Sequence, residues 1–199
     1  MTLGLKDLYY AICTEVDGVE TYGNPKKLAE VMTADLSVKT ADATLYADDT
    51  LSESVTEFAS ATLKMGIKDL STENTAELLG QKVDGDNVVW AGKNNEPPYI
   101  AVGFRAAKTG GKYKYIWLLK GKCKLPSEKY ETKGESIKFN TPEIEAEFTA
   151  RKSDGEWKAD YVGVESDAVA AAWFTAVVTP KAAGGAGGTT QGTGESTEP

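Results

Sequence analysis

The stretch YIAVGFRAAKTGGKYKYIWLLKGKCK, Tyr99–Lys124, decides the fold class. Tyr99–Lys108 and Lys112–Lys124 are rich in aromatic and β-branched residues, and they flank the turn signal Thr109-Gly110-Gly111. Such a pair of runs reads as a long β-hairpin. Working outward, Ala61, Leu63, Met65 and Ile67 alternate with Thr62, Lys64, Gly66 and Lys68, the period of a strand with one buried face. Ala34, Leu36 and Val38 repeat that pattern against Asp35, Ser37 and Lys39. Ile144, Ala146, Phe148 and Ala150 repeat it against Glu143, Glu145, Glu147 and Thr149. Leu8–Thr14 is an apolar run stopped by Asp17-Gly18, with a second turn at Tyr22–Pro25, and Asp154-Gly155 leads into Trp157–Val162. Turns this closely spaced favour a sandwich or barrel over βαβ units. The expected fold class is mainly β (α+β), a two-sheet β-sandwich or partial barrel flanked by a helix.

Two segments read as helix. Ser71 caps a short one over Glu73–Leu79, with Gly80 as its stop. Ser166-Asp167 opens another that AVAAAWFTAVV extends to Thr179-Pro180, with Val169, Trp173 and Val177 on one stripe packed against the sheet. From Lys181 the chain KAAGGAGGTTQGTGESTEP has no large apolar side chain, so it cannot offset its ordering entropy. Residues 1–180 are expected to be the folded domain. Residues 181–199 form a flexible Gly/Thr-rich tail, either a plain end or a spacer, dispensable for folding.

The chain has 199 residues, 41% hydrophobic and 26% charged, enough for one well-cored domain. It contains no His, which removes Ser-His and Cys-His nucleophile pairs and imidazole ligands. Cys13 and Cys123 are too few for a disulfide framework or a thiolate zinc site, and each lies in an apolar segment as a buried free thiol would. There is no GxGxxG, P-loop, H-E-x-x-H or GxSxG. Asp84-Gly85-Asp86-Asn87 lacks the remaining ligands of a calcium loop and reads as a tight turn; Asp48-Asp49 reads as an exposed acidic turn. The expectation is no enzyme, no catalytic, metal or cofactor-binding residues and no cofactor. No apolar run reaches a membrane span, and the start MTLGLKD lacks the pattern of a signal peptide, so a soluble, cytosol-made chain is expected.

Charge is uneven. Between Pro97 and Ser127 lie Arg105, Lys108, Lys112, Lys114, Lys120, Lys122 and Lys124 with no acid. The other 15 of the 22 bases then face all 30 acids, a balance of -15 elsewhere. Thr40–Leu63 holds Asp42, Asp48, Asp49, Glu53 and Glu57 with no base. Two readings stand: complementary surfaces on neighbouring copies, or lysines guarding an exposed edge strand against aggregation. Tyr113, Tyr115 and Trp117 interleave with the lysines as on a nucleic-acid platform, but the chain is acidic overall and carries no recognition motif. The acidic span 40–57 is expected to be a mobile loop that orders against a neighbour, with Leu45, Tyr46 and Leu51 docking there.

Four stretches, in order, resemble one family: GLKDLYYAI at 4–12, ADLSVKTADATLYADD at 34–49, AVGFRAAKTGGKYKYIWLLK at 101–120 and ETKGESIKFNTPEIEAEF at 131–148. They are similar to the major tail protein, the tail-tube subunit, of long non-contractile-tailed bacteriophages. The resemblance spans about residues 1–178 and no single piece is a chemical motif. It implies a virion structural protein, made in the host bacterial cytoplasm and resident in the virion tail. Hexameric rings would stack into a tube, the conduit for DNA ejection. Implied partners are further copies of the chain, the tape measure, the tail terminator and the tail tip initiator, with DNA passing the lumen unbound and no membrane. Ring closure would pair open sheet edges, and surplus acids facing inward would repel phosphate. The rival reading is a small-ligand-binding β-barrel module.

Overall fold

The computed structural model describes residues 2–47, 50–126 and 142–180. Among these residues eleven strands and two helices follow one another as β1 (Thr2–Val16), β2 (Val19–Tyr22), β3 (Lys26–Ala29), β4 (Val31–Ala47), β5 (Thr50–Ile67), α1 (Thr72–Leu79), β6 (Lys82–Val83), β7 (Val89–Trp90), β8 (Tyr99–Lys108), β9 (Tyr113–Cys123), β10 (Glu143–Phe148), β11 (Lys158–Gly163) and α2 (Ala168–Ala172). Nine strands form one antiparallel sheet in the order β2-β1-β8-β9-β10-β5-β4, with β3 added to β1 and β11 added to β9. The sheet forks at β9. Its first half pairs with β11 through Tyr113–Leu118 and its last residues pair with β10 through Gly121–Cys123. Only Glu30 separates β3 from β4, so one bent run of chain reaches from the β1 edge to the β5 edge. The result is a rolled, two-faced sheet that stops short of a closed barrel, with α1 alongside, as the alternating pattern predicts.

The roll encloses the main core. Leu63, Met65 and Ile67 from β5 meet Ile100 and Val102 from β8, Leu118 from β9 and Ala146 and Phe148 from β10. Those from β5 and β10 are the apolar members of their period-two patterns, on one face, whereas in the pattern at 34–39 Val38 is exposed. α1 covers part of this core with Ala76, Leu78 and Leu79. Ser71 accepts a hydrogen bond from the Asn74 amide at 3.2 Å and Gly80 closes the helix at φ 63°, where a Cβ would lie 2.2 Å from the Glu96 carbonyl oxygen. Asn74 and Glu77 tie α1 to β1 and β3. The Tyr10 hydroxyl donates to Asn74 Oδ1 at 3.1 Å and to Glu77, and Asn74 Nδ2 donates to the Leu28 carbonyl at 2.9 Å.

The other face of β1, β8, β9 and β11 carries a second cluster: Ala101, Tyr115, Trp117 and Leu119, joined by Tyr9, Tyr161, Trp173 and Phe174. Residues 164–180 lie over it as a strap. Its backbone hydrogen bonds are local, such as Ala171 N to Asp167 O and Thr175 N to Ala172 O. Side chains attach it: Trp117 Nε1 donates to the Trp173 carbonyl at 2.9 Å, Tyr161 donates to Asp167 at 2.8 Å, and Phe174 stacks on Tyr9 with ring centroids 4.8 Å apart. The expected helix to Thr179 is therefore corrected to a five-residue α2. The Trp173 carbonyl is taken by the indole of Trp117, and β-branched Thr175, Val177 and Val178 do not favour continuing the helix. Trp173 and Val177 pack on the cluster while Val169 faces out, so the expected stripe is broken at Val169.

A charged cluster locks the β1–β2 hairpin to the sheet. Lys120, itself buried, reaches Glu15 at 2.6 Å and Glu20 at 2.8 Å. Glu20 has a fully buried side chain and also accepts from the Lys152 amide and the Ser153 hydroxyl. Burial pushes its carboxyl up, but the Lys120 ammonium and the hydrogen bonds from Ser153 and Lys152 outweigh that and hold it at about 2.

Candidate assembly surfaces

Asp84 Oδ1 accepts from the Asp86 and Val88 amides at 3.0 and 2.9 Å, and Oδ2 accepts from Trp90 Nε1 at 2.7 Å. These bonds hold its carboxyl low, and Asn87 at φ 62° completes the tight turn. Among the described residues no three His, Cys, Asp or Glu side chains gather as a metal site. No described helix is long and apolar enough to cross a membrane. Cys13 and Cys123 are buried free thiols, as expected. Asp48-Asp49 lies outside the described residues. The aromatic residues between the lysines are no platform: Tyr115 and Trp117 are buried under the strap.

The basic island is largely spent inside the chain. Arg105 binds Asp7 and Glu165, the latter at 2.9 Å. Lys114 meets Asp160 at 3.4 Å, Lys122 meets Glu96 at 2.6 Å, and Lys124 meets Glu145 at 2.7 Å and Glu147 at 3.5 Å. With Lys120 on Glu15 and Glu20, only Lys108 and Lys112 at the β8–β9 turn make no ion pair among the described residues. Nor does the island guard an edge. β9 has β8 on one side and β10 and β11 on the other, so the edge-strand reading of those lysines is corrected. Sequence reasoning missed the acids because they come from Asp7, Glu15, Glu20, Glu96 and β10, far along the chain.

The acidic span behaves oppositely. The expectation of a loop over 40–57 is corrected, because the β4–β5 ladder continues through it from Thr40↔Phe58 to Ala47↔Thr50. Thr40, Thr44, Tyr46, Thr50, Val55 and Thr56 are residues that suit a pleated strand, and they outweigh the polar composition. β10 pairs with β5 only over Ala61–Gly66, so beyond Ala61 the two strands continue as a ribbon past the edge of the sheet. Phe58 holds its root, stacked on Trp157 at 4.5 Å. Further out, Ala41, Asp42, Val55, Thr56 and Glu57 are exposed, and neither Asp42 nor Glu57 has an ion-pair partner among the described residues. Asp42 accepts instead from Thr56 Oγ1 at 2.7 Å.

Free edges accompany this β4–β5 arm. Among the described residues β4 is hydrogen-bonded on one side only, over 17 residues, and β11 pairs with β9 alone. Unpaired N–H and C=O groups along such edges template pairing with another chain. β5 and β9 run in the same direction, both antiparallel to β10, so the arm's tip and the Lys108–Lys112 turn lie toward the same end of the sheet. Uncompensated acids and uncompensated bases thus stand on separate projections. Compared with known protein families and with curated proteins, the chain matches none.

Proposed function

We propose that this chain is a virion structural subunit that polymerises as stacked hexameric rings into the tail tube of a long-tailed bacteriophage, the conduit for DNA ejection. The observation that carries the reading is the β4–β5 arm: a long ribbon past the edge of the sheet with acids and no bases, beside sheet edges that have no partners among the described residues. Edges pair between copies within a ring, and the arm spans to a neighbour, where the Lys108–Lys112 turn offers the opposite charge. The four ordered stretches that resemble tail-tube subunits support the same reading. Its partners are its own copies and the tape measure, terminator and tip initiator, and DNA slides through a lumen that does not bind it. The rival ligand-binding barrel is disfavoured by its interior, where Leu63, Met65, Ile100, Leu118 and Phe148 are fully buried against one another.

Light scattering across concentration and salt, with negative-stain imaging, tests the proposal. Rings or tubes are expected at high concentration or on adding tail-initiator proteins. A protein that stays monomeric under every condition overturns it. Reversing Asp48 and Asp49 to Lys should impair tube growth with an unchanged melting temperature; normal tubes from that variant would remove the arm from the assembly contact.

A further inference from the structure

The ribbon between α1 and β8 presents an aromatic ring that the body does not use. β6 and β7 pair only with each other. Trp90 on β7 is 61% exposed, and its Nε1–H donates to Asp84 Oδ2 at 2.7 Å. Asp84 is in turn fixed by the amides of Asp86 and Val88. The indole is held in one orientation before any partner arrives, which lowers the ordering cost of binding. Exposed Val83 and Val88 lie in the same ribbon. A rigid, exposed Trp is the residue type that anchors protein interfaces.

The same chain carries a place for such a ring. β11 and the end of the strap form a half-open pocket of about 150 Å³, lined by Leu119, Ala159, Val178 and Pro180 with Glu156 and Lys158. An apolar space near that size takes one aromatic ring. Trp90 of the same chain is not among its lining and remains exposed. We propose that Trp90 of one copy docks into this pocket on a second copy. Charge agrees with that occupant. Lys82 lies directly opposite Trp90 in the ribbon and makes no ion pair among the described residues. On the pocket side Lys158 is engaged by Asp160 at 2.8 Å, which leaves Glu156 as the unpaired charge there among the described residues. Anchor and pocket are different patches, so the contact is head-to-tail and passes from copy to copy, closing a ring or extending a filament. It rests on the reading of the chain as a self-assembling subunit and specifies which surfaces meet.

The test compares critical assembly concentrations by light scattering for the parent and exposed-surface variants. Trp90→Ala should raise that concentration at least tenfold. Lys82→Glu and Glu156→Lys should each raise it severalfold, and the two together should return it toward the parent value. Copies carrying Val88→Cys, which keep the Trp90 ring, mixed with copies carrying Thr179→Cys at the pocket rim, should form an intermolecular disulfide in assemblies, while buried Cys13 and Cys123 do not compete. Parent-like assembly of Trp90→Ala without crosslinking overturns this contact while leaving the tube reading intact. A double reversal as weak as the single ones overturns the Lys82–Glu156 pairing. Failure of the parent protein to self-associate overturns both the contact and the tube reading.

Discussion

Replacing Lys120 by Met asks how much of the fold hangs on the internal charge cluster. The exchange keeps the side-chain stem that lines the sheet but removes the ammonium between Glu15 and Glu20. Glu15 retains Lys152 at 2.7 Å and is partly solvated, so it loses little. Glu20 is fully buried and keeps only the Lys152 and Ser153 donors. Removing one partner of a buried pair costs about 3–5 kcal/mol, and the remaining donors place this case near the lower bound, about 3 kcal/mol. For a domain this large that corresponds to a melting point lower by about 6–12 °C. The pH dependence has a definite sign. A carboxyl held down at about 2 in the fold contributes stability that is complete above its ordinary value of 4.5 and is lost as pH falls through about 2. Without Lys120 that carboxyl moves up, so it contributes less acid-dependent loss, and the stability gap between Lys120→Met and the parent should narrow as pH falls and the orphaned carboxyl is protonated. Urea unfolding followed by tryptophan fluorescence, repeated across pH 2–6, reads both effects. Adding Glu20→Gln to Lys120→Met should recover part of the loss by removing the orphaned charge. A loss below about 1 kcal/mol, or a gap that stays constant as pH falls, would refute the assignment of Glu20 as a buried charge dependent on Lys120.

Gly121→Ala should cost about 1–3 kcal/mol, because a Cβ there would lie 2.6 Å from the Phe148 ring and 2.9 Å from the Glu147 carbonyl oxygen. An unchanged thermal midpoint would show that Phe148 has room to move. The two cysteines should resist a chromogenic thiol reagent at pH 8 until the protein unfolds, since burial pushes the Cys123 thiol up to about 12 and also raises Cys13. Prompt labelling of both in the folded protein would contradict their placement in the sheet.

Legibility from sequence followed the length scale of the forces involved. Patterns of one side chain in two, as at Ala61–Ile67 and Ile144–Phe148, report directly on burial, and those residues lie in the core. Caps and turns are equally local: Ser71, Gly80, Asp17-Gly18 and Gly110-Gly111 occupy the conformations their types suggest. What local pattern cannot express is competition from distant partners. The helix after Asp167 ends early because an indole 56 residues away takes a carbonyl, and the basic island is neutralised by acids up to 105 residues away. Polar composition over 40–57 suggested a loop, whereas strand propensity and the ladder to β5 extended the hairpin through it. Side-chain orientation is equally silent in the sequence: nothing in VVW says that an aspartate six residues earlier fixes the Trp90 ring in solvent.

The place of β1 in the sheet also has a consequence for synthesis. β1 precedes the other described strands in the chain, yet apart from the short β2 and β3 its partner is β8, with Ile12 against Ile100. At about 5–20 residues per second the nascent chain holds this aromatic-rich strand with its β8-facing edge open for roughly 4–18 s before that partner emerges. The β4–β5 hairpin, by contrast, is complete as soon as its second strand appears. The arm therefore exists before the body it belongs to. A subunit caught at that stage would offer the LYYAI edge to any passing strand, which makes the interval before β8 the point at which chaperone protection matters most for this chain.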